Sequence, residues 1–206
     1  MKPVREYRWT FLHEQASPAD STSLLGNESL GVAKRLSDEL NLSMTLAELL
    51  VSRGIDSFEK AKAFFRPDII DLHDPFLMDG MEKAVERISR AVVGKEPILV
   101  YGDYDVDGTN GTALLWSFLK RVGAQVSYFI PDRIKDGYGV SMRGIDIVKE
   151  RGTSLLITVD CGITAVEQID AAQNAGIDVI VCDHHEPADR LPSAYAILDP
   201  IKPGCS

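Results

Sequence analysis

The sequence predicts an α/β protein with a mostly parallel, doubly wound sheet that is preceded by a small helical lobe. From residue 97 onward, short apolar segments alternate with amphipathic segments, and glycine follows each amphipathic segment. That alternation is typical of βαβ units, in which helices cover both faces of a parallel sheet. Before residue 80, apolar residues recur at steps of three and four, which indicates helices. We therefore expect a helical lobe with its connection over 1–80 and an α/β domain over 81–206.

The elements of the helical lobe are predicted from capping signals. Gly54 stands where a C-cap glycine would end the second helix. Asp56 and Glu59 form a capping pair for the third helix, and Pro67 stops it. Residues 66–80 are rich in Asp and Pro, which indicates an ordered connection. The predicted helices of this half of the chain are 28–40, 45–53, 56–65 and 81–93.

The elements of the α/β half are predicted from apolar runs that are separated by glycine-terminated amphipathic segments. Gly123, Gly152 and Gly176 each precede the next apolar run, as expected of glycines that end helices. The predicted strands are 98–101, 125–130, 155–159, 179–182 and 194–198. The predicted helices between them are 112–122, 141–151 and 164–175.

The composition is that of an ordinary globular protein and excludes several classes. Of the 206 residues, 45% are hydrophobic and 26% are charged, which excludes a disordered, collagen-like or disulfide-scaffold chain. No apolar run approaches the roughly 20 residues of a membrane span, so we expect no membrane partner. The three cysteines lack CxxC spacing, which favours reduced thiols and a cytoplasmic location. At a net charge of −9, nucleic acid would be bound through metal ions or a local basic patch.

Acidic and imidazole side chains follow three of the predicted strands. The carboxyl ends of parallel strands meet at one edge of a sheet, where open α/β folds bind ligands. Carboxylates gathered there repel one another unless a divalent cation is present, and a carboxylate and imidazole set suits Mn²⁺ or Mg²⁺. Two such ions about 4 Å apart can activate a water for attack on a phosphate ester. The residues in question are Asp103, Asp105 and Asp107 after the first strand, Asp160 after the third, and Asp183, His184 and His185 after the fourth.

Glycines near these strand ends predict room for a phosphate. Gly108, Gly111 and Gly162 would let the backbone approach it closely, and a helix beginning near Thr112 would direct its N-terminus at it.

Simpler roles are available to some of these residues. Asp160 on its own is more simply a helix N-cap, and His184 on its own a partly buried histidine. A calcium loop starting at Asp103 is excluded, because its twelfth position is Leu114 rather than glutamate. The segment 105–109 also matches the DxDGT loop of haloacid-dehalogenase-like phosphatases. We rank that interpretation second. In those phosphatases the first Asp directly follows the strand, whereas here three residues separate the strand from Asp105.

Several segments resemble, in order, the motifs of the DHH phosphoesterase superfamily, in the form found in its bacterial single-strand-specific exonucleases. The resemblance covers roughly residues 5–206. It implies a 5′ to 3′ exonuclease that uses Mn²⁺ or Mg²⁺ to degrade single-stranded DNA to mononucleotides in recombination and repair. The segments are 101–115, 131–141, 155–163, 179–187 and 197–200, and the segment 49–88 resembles the region ahead of them.

The resemblance also implies roles for the residues at the sheet edge. Asp105 and Asp107 match paired metal ligands, with Asp103 a weaker candidate, and Asp160 matches a carboxylate that bridges both ions. His184 matches a metal-binding histidine. We expect His185 to contact the substrate phosphate and Asp183 to support the site from behind the metal ligands.

Three residues of the loop 131–141 and one glycine are further candidates for substrate binding. Arg133 would hold a phosphate bidentately, and Tyr138 would contact sugar or base. Ser141 and Gly108 complete the expected set. The competing interpretation is a solvated loop whose glycines only satisfy the geometry of a turn.

The resemblance predicts that these 206 residues are the N-terminal portion of a longer enzyme. Members of that branch continue with a further acidic metal ligand, a second domain and an oligonucleotide-binding fold. We therefore expect weak metal binding and little processive activity from this chain alone. The implied partners are single-stranded DNA, single-strand-binding protein and a helicase. Two alternatives stay open, a DHH phosphodiesterase for short oligonucleotides or cyclic dinucleotides and a non-catalytic DHH-like scaffold.

Overall fold

A computed structural model describes residues 27–205, so the first 26 residues of the predicted lobe lie outside the described part. The structure separates into two compact units, one extending to Leu72 and the other beginning at His73. Residues 73–80, which the sequence assigns to the first domain, thus group with the second unit. Within residues 27–205, no helix is both long and apolar enough to cross a bilayer.

The first unit contains three helices, α1 (Asn27–Leu40), α2 (Met44–Ser52) and α3 (Phe58–Phe65), followed by a 3₁₀ turn at Ile69–Asp71. Its small core is formed by Leu36, Leu50 and Ala61. The third helix starts later than expected, because Ser57 is its N-cap and accepts from the backbone N–H of Lys60. Asp56 instead pairs with the Lys60 ammonium group at 2.9 Å.

The second unit is an α/β domain with a five-stranded parallel sheet. The sheet order is β2-β1-β3-β4-β5, and every pairing is parallel, so the predicted fold class is confirmed. The strands are β1 (Ile98–Gly102), β2 (Val126–Phe129), β3 (Leu155–Val159), β4 (Asp178–Cys182) and β5 (Ala196–Leu198). The helices are α4 (Met81–Gly94), α5 (Val106–Arg121), α6 (Met142–Glu150) and α7 (Val166–Asn174), with a 3₁₀ turn at Pro75–Leu77.

Both faces of the sheet are covered along its central strands β1, β3 and β4, and their side chains alternate between two cores. In β1, Leu99 and Tyr101 lie in the core that includes residues of α6 and α7. Ile98 and Val100 lie in the opposite core with residues of α4 and α5. Arg87 of α4 is almost fully buried and pairs with Asp178 at 2.5 Å and with Glu96 at 2.6 Å. This pairing ties α4 to the start of β4.

One boundary in this unit differs from the sequence prediction in a way that matters for the site. The helix expected to begin near Thr112 begins at Val106, so the acidic segment after β1 forms its first turn. The cause is Asp105, which caps this helix and thereby starts it six residues earlier.

Candidate active site

The chain order places the acidic residues at the switch point of the sheet. β1 lies between β2 and β3, so the connections from β1 and from β3 leave in opposite directions. A crevice forms at the carboxyl ends of such strands, and it is the usual ligand site of this architecture. Asp103 and Asp105 follow β1, Asp160 follows β3 and Asp183 follows β4.

Asp105 is held by the helix that it caps. Its Oδ1 accepts from the backbone N–H groups of Asp107 and Gly108, each at 3.1 Å. The N–H of Gly108 is the main reason why the pKa of Asp105 lies below its ordinary value. Asp160 does not have the N-cap role that the sequence suggested for it alone, because the helix that follows it has Ala165 as its N-cap. The second carboxylate oxygen of Asp105 makes no capping contact.

Asp160 has a left-handed backbone with φ of 61°. That conformation is uncommon for a residue other than glycine, and it is held by the N–H of Asp160, which donates to the carbonyl of Cys182 at 2.9 Å. Its Oδ1 lies 2.9 Å from Nε2 of His184. Burial raises the pKa of Asp160 and the charge of Asp105 adds to this, while the contact with His184 opposes it. The buried carboxylate of Asp160 is thus held close to the exposed carboxylate of Asp105.

Two overlapping groups of side chains offer ligand atoms to a cation. In the part of the chain that the structure describes, Asp103, Asp105 and Asp160 form one group, and Asp160, His184 and His185 form the other. Within each group the ligand atoms lie within 4.8 Å of one another. Asp103 is fully buried, and its Oδ2 has no hydrogen-bond partner among residues 27–205. A buried carboxylate oxygen without a donor fits a bound cation, and the donor set of oxygens with imidazole nitrogen fits Mn²⁺ or Mg²⁺.

Asp183 has a different role from the other carboxylates. Its Oδ2 accepts from the N–H of Ile163 at 2.9 Å. Its Oδ1 accepts from the N–H groups of His184 and His185 and from Nδ1 of His185, the last at 2.7 Å. Burial raises the pKa of Asp183, but these donors outweigh it and hold the pKa below its ordinary value. Asp183 therefore fixes the path of the chain through both histidines and the orientation of one ring.

We predict that Asp183→Asn lowers the free energy of unfolding by about 2–4 kcal/mol, because the amide NH₂ would face backbone donors in a buried place. Urea denaturation without metal measures this loss. The control Asp170→Asn changes a carboxylate that also accepts a backbone N–H but pairs with an exposed arginine. A loss for Asp183→Asn no larger than that of the control would contradict the role assigned to this carboxylate.

His185 connects Asp183 to the loop 131–141. Because the Asp183 carboxylate only accepts, Nδ1 of His185 carries a proton and donates to it. This hydrogen bond raises the pKa of His185 above its ordinary value. On the other side of the ring, Nε2 lies 3.0 Å from the hydroxyl of Tyr138. Burial of that hydroxyl, together with the charges of Asp103 and Asp160, raises the pKa of Tyr138 to about 12.

The loop that carries Arg133 and Tyr138 is held in shape by its own acidic residues. The N–H of Asp132 donates to Oδ2 of Asp136 at 2.8 Å, and the N–H of Asp136 donates to the carbonyl of Asp132. The buried carboxylate of Asp136 also pairs with Arg143 of α6. The segment is therefore an internally hydrogen-bonded turn, although most of its side chains are exposed to solvent.

The end of the same loop is anchored by a core tyrosine. The hydroxyl of the fully buried Tyr101 donates to the carbonyl of Gly139 at 3.1 Å and accepts from the N–H of Ser141 at 3.3 Å. Ser141 is the N-cap of α6, and its hydroxyl accepts from the N–H of Gly144 at 3.0 Å. The structure thus gives Ser141 a capping role, and its substrate contact stays a prediction.

Gly108 and Gly111 lie where α5 comes close to the strand ends. A Cβ at Gly108 would lie 2.5 Å from the carbonyl oxygen and 2.6 Å from the nitrogen of Asp103. A Cβ at Gly111 would lie 2.7 Å from a methyl group of Val159. These two glycines therefore let α5 pack closely on the strand ends, and their contact with a phosphate stays a prediction.

The structure brings together most, but not all, of the residues expected at this edge. Asp107 is exposed in the first turn of α5 and belongs to neither ligand group, since residues two apart on a helix do not face each other. Its role as a ligand stays a prediction. Sequence reasoning missed Tyr101, whose hydroxyl anchors the end of the loop 131–141. A tyrosine inside a buried strand signals a hydroxyl that needs partners, so Tyr101 could have been found.

Comparisons with known proteins agree with this architecture. Residues 97–206 match the model of the DHH family, N-terminal domain. The single-stranded-DNA-specific exonuclease RecJ of Bacillus subtilis is 45% identical over 173 residues, which are 84% of this chain and 22% of that protein. RecJ of Escherichia coli is 41% identical over 163 residues, 78% of this chain and 27% of that protein. The chain therefore spans about a quarter of the length of these relatives.

Two solved structures have the same fold over much of the chain. The crystal structure of exonuclease RecJ bound to manganese is 34% identical and has a TM-score of 0.59, over 66% of this chain and 35% of that chain. The crystal structure of RecJ from Thermus thermophilus in complex with Mn²⁺ is 28% identical and has a TM-score of 0.64, over 86% of this chain and 24% of that chain.

Proposed function

This chain belongs to the DHH family, and we propose that it forms the metal-binding part of a 5′ to 3′ exonuclease that hydrolyses single-stranded DNA with Mn²⁺ or Mg²⁺. The observation that carries the proposal is the pair of ligand groups that share Asp160 at the switch point of the sheet. Relatives named as single-stranded-DNA-specific exonucleases support the substrate class, and manganese-bound relatives support the metal.

We assign the ligand roles by the two groups. Asp103 and Asp105 would hold one ion and His184 the other, with Asp160 between them. The support is that Asp160 belongs to both groups and that the orphaned oxygen of Asp103 lies in the first. Asp107 is kept as a further ligand on the resemblance alone. When bound, a divalent ion supplies positive charge that polarises a phosphodiester and lowers the pKa of a water.

The remaining residues would bind and orient the substrate. Asp183 holds the ring of His185, and the raised pKa of His185 favours a positive charge beside a phosphate. Tyr138, with a pKa of about 12, keeps its proton at neutral pH and can donate it in a hydrogen bond. Arg133 presents the planar donors that suit a phosphate oxygen pair. These groups would hold the strand while the carboxylates hold the ions.

The test is hydrolysis of end-labelled DNA by this chain in Mn²⁺. We expect slow release of labelled mononucleotide from a 5′-labelled single strand, later release from a 3′-labelled one, and none from duplex DNA or in EDTA. Release only from a dinucleotide or a cyclic dinucleotide would favour the small-substrate phosphodiesterase. No Mn²⁺ uptake and no hydrolysis of any of these substrates would leave a non-catalytic scaffold.

We also propose a cellular process, a location and partner proteins for this chain. Recombination and repair in the cytoplasm, beside single-strand-binding protein and a helicase, fit an enzyme that shortens free single strands. Their support is the naming of the relatives together with the three unpaired cysteines, Cys161, Cys182 and Cys205.

A further inference from the structure

Arg133 lies against an aromatic ring rather than against a carboxylate. Its guanidinium carbon lies 5.4 Å from the ring centroid of Tyr104. Among residues 27–205 it makes no ion pair with a carboxylate, as is also true of Arg121 and Arg151. Arg87, Arg143 and Arg190 each pair with at least one carboxylate. The side chain is exposed, so its donors are accessible.

The contact of Arg133 with Tyr104 adjoins two acidic residues in the sequence. Tyr104 stands between Asp103 and Asp105, both members of a ligand group. An arginine beside such carboxylates gains Coulomb energy by pairing with them, and that pair would occupy both the ligand oxygens and the donors. The ring of Tyr104 offers the guanidinium a competing attraction at its face.

The ring of Tyr104 is itself held in place. It meets the ring of Tyr138 edge to face, with centroids 6.3 Å apart, and Tyr138 meets His185 in the same way at 6.0 Å. The series runs from Arg133 through two tyrosines to the histidine that Asp183 orients. A displaced Tyr104 would therefore leave Arg133 without its support.

We propose that Tyr104 is a positioning residue, whose ring holds the guanidinium of Arg133 away from the carboxylates and available to a phosphodiester of the substrate. This inference rests on the proposed function for the identity of the phosphodiester. Neither the resemblance nor the sequence pattern assigned a role to Tyr104.

A matched pair on the opposite edge of the sheet supplies the control. The guanidinium of Arg90 lies 5.8 Å from the ring centroid of Tyr195, which directly precedes β5. That arginine also lies 3.7 Å from Asp178, as is usual for an exposed arginine near a carboxylate. Tyr195 lies at the amino end of its strand, whereas the ligand groups lie at the carboxyl ends. Tyr195→Leu therefore controls for a loss of affinity that arises through the fold alone.

The first experiment measures the contact without any substrate. In the ¹⁵N-labelled chain, the Nε–Hε resonance of Arg133 should carry a ring-current shift that Tyr104→Leu abolishes and Tyr104→Phe retains. The second measures affinity for a 5′-phosphorylated single-stranded oligothymidine with hydrolysis-resistant phosphorothioate linkages, in Mg²⁺, by fluorescence anisotropy. We expect binding about 10-fold weaker for Arg133→Ala and about 3-fold weaker for Tyr104→Leu.

The decisive comparison is the double variant. Tyr104→Leu with Arg133→Ala should bind no worse than Arg133→Ala alone, Tyr104→Phe should bind like the wild type, and Tyr195→Leu should have no effect. Additive losses, an equal loss for Tyr104→Phe, or no oligothymidine binding by the wild type would overturn the positioning role. Binding that depends on both residues, without any Mn²⁺-dependent hydrolysis, would retain this role and reject the proposed nuclease activity.

Discussion

Asp160→Asn is expected to weaken Mn²⁺ binding by at least about 100-fold. Loss of a partner behind a metal ligand already costs about 10- to 100-fold in affinity, and Asp160 is the one residue shared by both ligand groups. The substitution keeps the shape of the side chain and removes its charge. Mn²⁺ affinity can be measured from the free-ion signal in electron paramagnetic resonance, and hydrolysis of single-stranded DNA should fall with it.

The same substitution is expected to raise the free energy of unfolding when no metal is present. The pKa of Asp160 is raised in the folded chain by burial and by Asp105, so its ionised form destabilises the native state. This cost is absent at a pH below the ordinary carboxyl pKa and grows as the pH rises through the folded pKa. Urea denaturation in EDTA at neutral pH should therefore show a more stable variant, and the gain should disappear in acid.

The control for this pair of effects is Asp189→Asn, which removes an equal charge from an exposed carboxylate outside both ligand groups. It should change neither Mn²⁺ affinity nor stability appreciably. Metal affinity retained in Asp160→Asn would remove the basis of the proposed metal centre. A variant that loses both metal affinity and stability would indicate a structural role for this carboxylate instead.

Gly108→Ala is expected to cost about 3 kcal/mol or more in the free energy of unfolding, at the upper end for overpacking. The added methyl would lie within 2.7 Å of three backbone atoms of Asp103, and backbone cannot rotate away as a flexible side chain can. The N-terminus of α5 would be pushed off the end of β1. Because that turn carries Asp105, Mn²⁺ affinity should fall as well.

The matched control is Gly31→Ala, since Gly31 also lies inside a helix but has nothing within 4 Å of the position of a Cβ. There alanine should stabilise the helix by about 0.5–1 kcal/mol, because it restricts the unfolded chain without a clash. Urea denaturation of both variants measures the contrast. A small or absent loss for Gly108→Ala would mean that α5 does not pack against Asp103 as closely as described.

The fold class could be predicted because it depends on patterns that are local in sequence. A buried parallel strand needs a short apolar run, and a covering helix needs one apolar face, so the order of elements is visible without coordinates. Helix starts were predicted less well. Ser57 replaced Asp56 as a cap, and Asp105 began α5 well before Thr112, because several residues that can cap stand side by side and the backbone geometry selects one.

The composition of the candidate site was also largely visible in the sequence, because carboxyl ends of parallel strands share an edge. The role of each carboxylate within the site could not be predicted from the sequence. Asp103, Asp160 and Asp183 are three carboxylates after three strands, yet one has an orphaned oxygen, one faces another carboxylate and one accepts four donors. Those differences depend on backbone groups that only folding brings near.

By itself, the amino-acid sequence determined the order of strands and helices and the set of acidic and imidazole side chains at their ends, since both depend on residue type and spacing. The tertiary structure alone decided which carboxylates lie close together. It also decided that Gly108 allows the close approach of α5 to Asp103, and that the guanidinium of Arg133 lies over the ring of Tyr104. The physical reason is that contacts between segments far apart in the chain depend on distances of a few ångströms, which residue spacing does not encode.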